Sequence, residues 1–207
     1  MKKTPRLMAA ALAAIALFAG APPAIRAADL AASDARFLQA AAGAGLFEVQ
    51  AAELAGKRAQ DAQVRAYAAK MLAQHRKVND ELKALAAAKQ LRLPGEPGEP
   101  DRATLEQLRA KTGAAFDELY VEKAAVDAHA IANRLFQTAA KESADPQVRE
   151  FASRTLPMLA EHYSMSRTLM GQPAANGDRI QPAPKGEAPA VSPASREAPA
   201  SVVPPKQ

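Results

Sequence analysis

Apolar residues recur along much of this chain at steps of three and four, the spacing that places them on one face of an α-helix. The clearest stripe follows Asp61 and consists of Val64, Ala68, Met71, His75, Val78, Leu82 and Leu85. A similar stripe follows Asp145 and consists of Val148, Ala152, Thr155, Leu159, His162, Ser166 and Leu169. The residues that favour helices dominate between the stripes, and alternating strand patterns are absent from the sequence. The pattern therefore predicts an all-α protein.

Capping residues indicate where the first two helices begin. Ser33 or Asp34 can cap a helix that ends near Ala59, and Asp61 can cap a second helix that ends near Leu91. The inward face of the first helix consists of Phe37, Ala41, Ala44, Glu48, Ala52 and Ala55. One carboxylate therefore occupies a position where an apolar side chain is expected.

A long connection separates the second pair of helices from the first. Segment 94–100 contains three prolines and two glycines, which interrupt any helix. Asp101 can cap a short helical stretch after it, and a long helix is predicted over about 114–142. Its inward face includes Val126, His129, Asn133 and Phe136. Asp145 and Pro146 then begin a fourth helix, because proline is tolerated in the first turn.

The two halves of the chain resemble each other. The segment Asp61-Ala-Gln-Val-Arg-Ala-Tyr-Ala recurs as Asp145-Pro-Gln-Val-Arg-Glu-Phe-Ala. Each half is therefore predicted to be a helical hairpin, and the whole to be an internal duplication. We expect an up-down-up-down four-helix bundle built from two similar helical hairpins, with both short turns at one end and the proline-rich connection at the other.

The ends of the chain differ in composition from the middle. Residues 1–28 begin with basic side chains, continue with an uncharged apolar run and end in small residues, as signal peptides do. The run is short for a bilayer span of about 20 residues, and an uncleaved membrane anchor is the alternative. Residues 172–207 are rich in proline and alanine, which predicts a disordered tail. Residues 29–171 are expected to form one domain in the periplasm.

Charge and cysteine content narrow the classes of function. The chain carries a formal charge of +5, but four basic residues and no acidic ones lie in residues 1–28. The remainder carries +1, so no nucleic-acid partner is expected. The chain contains no cysteine. Packing rather than disulfides must therefore stabilise the domain.

The three histidines of the chain, His75, His129 and His162, fall on the inward stripes of three different helices, and Glu48 falls on that of the fourth. At about 1.5 Å per residue from the short turns, His75 and His129 are nearly level, with Glu48 and His162 roughly 5 Å to either side. A buried imidazole needs a hydrogen-bond partner or a metal. The four side chains are therefore candidate ligands of one transition-metal ion, either zinc, copper, iron or nickel, since magnesium and calcium prefer oxygen.

Other interpretations of the histidines stay open. Each ring could instead be hydrogen-bonded in the core, with possible partners Glu48, Asn79, Asn133 and Tyr163. A ferritin-type di-iron centre is disfavoured, because it needs Glu-x-x-His on two helices and the residues three positions before the histidines are Leu72, Val126 and Leu159. No phosphate loop, nucleophile elbow or zincin motif occurs in the sequence. We therefore expect a binding protein rather than an enzyme.

Several of these residues also form a family pattern. The first half carries Asp34-x-x-Phe37-Leu38, Glu48-Val49-x-x-x-Glu53-Leu54-Ala55 and Val64-x-x-Tyr67-Ala68-x-x-Met71-Leu72-x-x-His75. The second half carries Phe116-Asp117-x-x-Tyr120-Val121, His129, Leu135-Phe136, Val148-x-x-Phe151-Ala152 and Thr155-Leu156-Pro157-x-Leu159-x-x-His162. Over about residues 30–170 the chain resembles the domain-of-unknown-function 4142 family. The resemblance implies a ferritin-like helical bundle exported by bacteria, but no reaction. Family members usually carry Asp-His where this chain has Gln74-His75, so a carboxylate beside the metal site is missing here.

Three hypotheses about function follow. The first is an exported helical-bundle protein of the cell envelope that binds a metal and is related to stress. The second is a cofactor-free structural or interaction module, with another envelope protein or a membrane surface as partner. The third, which has less support, is a metal-dependent oxidoreductase. The sequence indicates neither the oligomeric state nor which metal binds.

Overall fold

The computed structural model describes residues 30–171 and is entirely helical in its regular structure. The described residues form α1 (Ala32–Arg58), α2 (Ala62–Ala88), α3 (Glu99–Arg109), α4 (113–142) and α5 (Pro146–Leu169). Within α4, an α-helical stretch Gly113–Leu119 continues into a π-helical stretch Tyr120–Asp127 and a second α-helical stretch Ala128–Glu142. The all-α prediction is confirmed. The predicted signal peptide and tail lie outside the described residues.

The two short turns are built alike, as the internal repeat predicts. Asp61 caps α2 by accepting hydrogen bonds from the backbone N–H groups of Gln63 (2.6 Å) and Val64 (3.2 Å). Asp145 caps α5 in the same way, at 2.9 and 3.2 Å, and Pro146 occupies the first turn. Both predicted helix starts are therefore confirmed.

Two other aspartates have roles that differ from the predicted ones. α1 begins at Ala32 with no side-chain cap, and α3 begins at Glu99, so that Asp101 lies buried in its first turn. The buried carboxylate of Asp34 instead accepts a hydrogen bond of 2.8 Å from the backbone N–H of Asp145. The predictions that Ser33 or Asp34 caps the first helix and that Asp101 caps a later one were wrong, because both helices start earlier than their polar residues suggest.

Asp117, near the start of α4, mirrors the role of Asp34. Its carboxylate accepts hydrogen bonds from the backbone N–H groups of Gln60 (3.1 Å) and Asp61 (2.8 Å) in the turn between α1 and α2. Each hairpin thus supplies one carboxylate that holds the turn of the other hairpin. We call Asp34 and Asp117 the bracing aspartates.

The bracing contacts place the two short turns at opposite ends of the molecule. The turn after α1 lies beside the start of α4, and the turn after α4 lies beside the start of α1. Because α2 and α4 both start at the same end, they run in parallel, and segment 89–112, which includes α3, crosses the length of the molecule between them. The predicted up-down-up-down order with both short turns at one end was therefore wrong. The connection is a crossover rather than a turn.

Two apolar clusters fill the core, one toward each end. Phe47 and Phe116 belong to the cluster beside the first turn, and Phe37 and Phe136, whose ring centroids are 5.1 Å apart, belong to the other. Within α2, α4 and α5 the three histidines lie between the residues of the two clusters. The fold therefore leaves a polar layer at mid-height. Across residues 30–171, none of the helices is both long and apolar enough to cross a membrane.

Candidate metal centre

His75 from α2, His129 from α4 and His162 from α5 meet in this polar layer. His75 Nε2 lies 3.3 Å from His129 Nε2, which lies 3.2 Å from His162 Nδ1. When one nitrogen is taken from each ring, the three atoms all lie within 4.8 Å of one another. None of the three side chains is more than 5% exposed. Three buried imidazoles this close together could hold a metal ion.

The backbone of α4 determines which nitrogen of His129 faces its neighbours. Its Nδ1 lies 2.9 Å from the backbone carbonyl oxygen of Ala125, four residues earlier. A carbonyl oxygen can only accept, so Nδ1 carries the proton of the neutral ring. Nε2 is then unprotonated, and its lone pair points toward His75 and His162. This is the form of the ring that ligates a metal.

Gln74 determines which nitrogen of His162 faces the other two histidines. The Gln74 side-chain oxygen lies 2.5 Å from His162 Nε2, so this nitrogen donates and Nδ1 presents its lone pair to the cluster. The family resemblance had suggested that a carboxylate beside the site is missing at this position. The amide oxygen of Gln74 nevertheless acts as the acceptor that a ligating histidine normally has.

All three rings are held in the neutral form. Burial, followed by the neighbouring His129 and His162, lowers the pKa of His75 well below its ordinary value. Burial lowers the pKa of His129 to about 4, although the Ala125 carbonyl raises it. Burial, then His129 and Lys70, lowers the pKa of His162 to about 3. At neutral pH, protons therefore do not compete with a metal for the three ring nitrogens.

Glu48 lies on the far side of His129 from the other two histidines. Its Oε1 is 3.6 Å from His129 Nδ1, the nitrogen that already donates to the backbone, and Glu48 is not part of the group of atoms within 4.8 Å of one another. Burial, and then the charge of Asp101, raises the pKa of Glu48 well above its ordinary value. Because His129 is neutral, their contact is not an ion pair. The geometry makes Glu48 a neighbour of a candidate ligand.

Two residues at the site make contacts that the sequence did not predict. Gln74 precedes His75, and a polar residue beside a buried one normally points to solvent. Tyr67 donates a hydrogen bond of 3.4 Å to the backbone carbonyl of His162, and its hydroxyl lies 3.4 Å from His129 Nδ1. Its position eight residues before His75, just over two helical turns, was a signal that both side chains share a face.

Of the polar residues that the sequence offered as alternative partners of the rings, Glu48 lies beside His129, whereas Asn79 and Asn133 contact other groups. The Asn133 amide donates to the backbone carbonyls of His129 (2.8 Å) and Leu159 (3.0 Å), which joins α4 to α5. Asn79 packs against α1 where Gly45 lacks a side chain. A Cβ atom added there would lie 2.0 Å from the Asn79 oxygen. These contacts join neighbouring helices and do not involve the ring nitrogens.

Comparison with known proteins identifies a family and nothing narrower. No curated protein and no solved structure matches the chain. The family model described as Domain of unknown function (DUF4142) matches residues 19–169. That range includes all five described helices and the three histidines. The resemblance seen in the sequence is thereby confirmed, and the chain belongs to the DUF4142 family.

Proposed function

We propose that this protein binds one transition-metal ion through His75, His129 and His162, and that it does so in the bacterial cell envelope, in a role related to stress. The observation that carries the proposal is the orientation of the rings. His129 and His162 each donate with their outer nitrogen, to the Ala125 carbonyl and to Gln74, and therefore both present lone pairs across a gap of 3.2 Å. Two facing lone pairs repel each other unless a proton or a cation lies between them.

The spacing of the nitrogens supports a metal rather than a proton. Imidazole nitrogens bound to zinc lie about 2.0–2.1 Å from the metal, so two of them in a tetrahedral site lie about 3.3–3.4 Å apart. The corresponding distances here are 3.3 and 3.2 Å. The low pKa values of the rings disfavour a shared proton at neutral pH. Three nitrogen donors favour zinc, copper, iron or nickel over magnesium or calcium.

The scaffold supports a ferritin-like arrangement for the bundle. A single long crossover between two antiparallel hairpins distinguishes ferritin-like bundles from simple up-down ones. Segment 89–112 has the position of such a crossover. We further propose that residues 1–28 direct export to the periplasm, with retention as a membrane anchor as the alternative.

A cofactor-free module remains the second candidate, and one contact favours it. His75 Nε2 lies within hydrogen-bonding distance of His129 Nε2, so a proton on His75 can join these two rings without a metal. In that case the histidines would only connect helices. The partner would then be another envelope protein or a membrane surface.

Elemental analysis distinguishes the two candidates. The untagged mature protein is purified from the periplasm without chelators, and its metal content is measured together with that of His75→Ala, His129→Ala and Glu48→Gln. We expect about one equivalent of a transition metal in the wild type, its loss in both histidine variants and its retention in Glu48→Gln. Circular dichroism verifies that each variant is folded.

Three results would change the proposal. Equal metal content in the wild type and both histidine variants would place any metal elsewhere and overturn the assignment. Absence of metal from the wild type, even after incubation with Zn²⁺ or Cu²⁺, would favour the cofactor-free module. Loss of metal from Glu48→Gln as well would make Glu48 a ligand, as the sequence had suggested.

A further inference from the structure

The π-helical stretch of α4 lies directly before His129. In Tyr120–Asp127 the winding is wider than in an α-helix, and the N–H of Ala128 bonds to the carbonyl of Lys123, five residues earlier. Well under 1% of residues in proteins adopt this conformation, which frequently occurs at functional sites. Such a stretch therefore needs a physical explanation.

The burial pattern of α4 shows what the π-helical stretch does. The buried residues Phe116, Tyr120 and Ala124 are spaced by four, and so are the buried residues Ala125, His129 and Asn133. The second row is offset from the first by one residue, so the step from Ala124 to His129 is five. At roughly 100° per residue, Tyr120 and His129 would face opposite sides of a regular α-helix. Yet Tyr120 is 1% exposed and His129 is fully buried. The π-helical stretch therefore contains one extra residue, which turns the second half of α4 back toward the core.

The internal repeat identifies the same extra residue independently. The bracing aspartates occupy equivalent positions in the two hairpins, and so do the capping residues Asp61 and Asp145. Asp34 and Asp61 are 27 positions apart, whereas Asp117 and Asp145 are 28 apart. α1 is α-helical throughout, and among the helices of residues 30–171 only α4 contains a π-helical stretch. The helix without the extra residue thus serves as an internal comparison within the same chain.

The position equivalent to His129 in α1 strengthens this argument. When Asp61 is aligned to Asp145, Gly45 is the position of α1 that is equivalent to His129. Gly45 carries no ring, and α1 has no π-helical stretch at this height. The extra residue and the histidine therefore occur together in one hairpin and are both absent from the other.

We propose that the extra residue of the π-helical stretch is a positioning element for the metal site. It turns the His129 ring toward His75 and His162, and it aligns Nδ1 with the Ala125 carbonyl at 2.9 Å. The inference rests on the proposed function, because positioning a ring matters most where its lone pair binds a metal. Outer partners of ligating histidines typically change metal affinity 10- to 100-fold.

Deletion of Glu122 tests the inference. Glu122 is an exposed residue inside the π-helical stretch, and removing it reduces the spacing of Tyr120 and His129 to eight. Eight residues turn a regular α-helix through roughly 80° beyond two full turns, so both side chains can still face the core and the variant can fold. In that regular helix the Ala125 carbonyl accepts the backbone N–H four residues later, so we expect it to lose its alignment with His129 Nδ1. The matched control is Glu122→Ala, which removes the same side chain and keeps the extra residue. We expect both variants to fold.

The measurements are Zn²⁺ affinity by competition with a chromophoric chelator and the visible spectrum with Co²⁺ as a probe. We expect the deletion to weaken Zn²⁺ binding 10- to 100-fold and to alter the Co²⁺ bands, with Glu122→Ala unchanged. Equal affinity in the deletion and Glu122→Ala would overturn the inference while leaving the proposed function intact. Failure of the wild type to bind either metal would instead refute the proposed function.

If the deletion variant fails to fold, a measurement on the wild type still tests the inference. ¹⁵N NMR of the imidazoles distinguishes the two neutral forms of His129. A slowly exchanging proton on Nδ1 supports the alignment with Ala125. A proton on Nε2 would overturn the inference, since the ring would then not be held by the carbonyl.

Discussion

Gln74 provides a direct test of the site, because it contacts a nitrogen of His162 that does not face the other histidines. Replacing Gln74 with leucine roughly preserves volume and removes the acceptor that lies 2.5 Å from His162 Nε2. His162 can then adopt its other neutral form, in which Nδ1 is protonated and cannot bind a metal. Outer partners of this kind contribute 10- to 100-fold to metal affinity, about 1.4 to 2.7 kcal/mol. We expect Gln74→Leu to weaken Zn²⁺ binding by that factor.

The same substitution has a smaller effect without metal. Loss of the acceptor leaves His162 Nε2 without a hydrogen-bond partner in either neutral form of the ring, at a cost of about 1–3 kcal/mol. Gln74 is only half-buried, and leucine adds apolar contact, so we expect a net loss of about 1 kcal/mol in the free energy of unfolding. Gln74→Glu should act in the opposite direction on the metal, because a carboxylate is the stronger acceptor.

Zn²⁺ competition at pH 7.5 measures these changes, with Gln107→Leu as the control. Gln107 is exposed on α3, so its replacement by leucine alters composition identically without contacting the site. We expect Gln74→Glu to bind Zn²⁺ most tightly and Gln74→Leu most weakly. The wild type and Gln107→Leu should lie between them with equal affinity. Equal affinities in the two leucine variants would refute the argument that Gln74 selects the ligating nitrogen of His162.

Three further predictions concern the fold. Asp34→Ala should lower the free energy of unfolding in urea by about 1–3 kcal/mol, because the partly buried N–H of Asp145 in the turn before α5 loses its acceptor; a change below about 0.5 kcal/mol would contradict the bracing role. Gly45→Ala should destabilise by about 1–3 kcal/mol through its overlap with Asn79, whereas Gly56→Ala, where nothing lies within 4 Å, should stabilise by about 0.5–1 kcal/mol; equal effects would contradict the close approach of α1 and α2. Burial lowers the pKa of His129 from 6.5 to about 4, so between those values the unfolded chain binds more protons than the folded one. His129 should therefore lower the metal-free stability as the pH drops from 6.5 to 4, by up to about 3 kcal/mol. The raised pKa of Glu48 acts in the opposite direction, so the measurement uses Glu48→Gln, and urea unfolding of this variant that is insensitive to pH over this range would refute the prediction.

The sequence correctly predicted contacts between residues that are close together along the chain. The caps at Asp61 and Asp145 involve N–H groups two and three positions later, so the sequence itself contains both partners. Asp34 also looked like a cap, but its partner lies 111 positions away. No short-range pattern reveals such a contact. The π-helical stretch was missed for a related reason, since a step of five is visible only when the core faces before and after it are both known.

The meeting of the histidines could be predicted even though the predicted order of the helices was wrong. His75 lies 13 residues from each end of α2 (Ala62–Ala88). Reversing the direction of this helix therefore does not change the position of His75 along the axis of the bundle. His129 and His162 also lie well inside their helices. A site at mid-height is therefore insensitive to the direction of the hairpins. The contacts of a residue near a helix end, such as Asp34, depend on that direction entirely.

The duplication explains the scaffold but not the site. The bracing aspartates and the two caps recur in both hairpins, as expected for a structure built twice. With Asp61 aligned to Asp145, however, the equivalents of the three histidines are, in order, Leu159, Gly45 and Val78. None of these three residues has a side chain that can bind a metal, so the repeat does not form a second, symmetry-related site. The proposed site therefore predicts one metal per chain, because among residues 30–171 the histidine cluster takes one histidine from the first hairpin and two from the second.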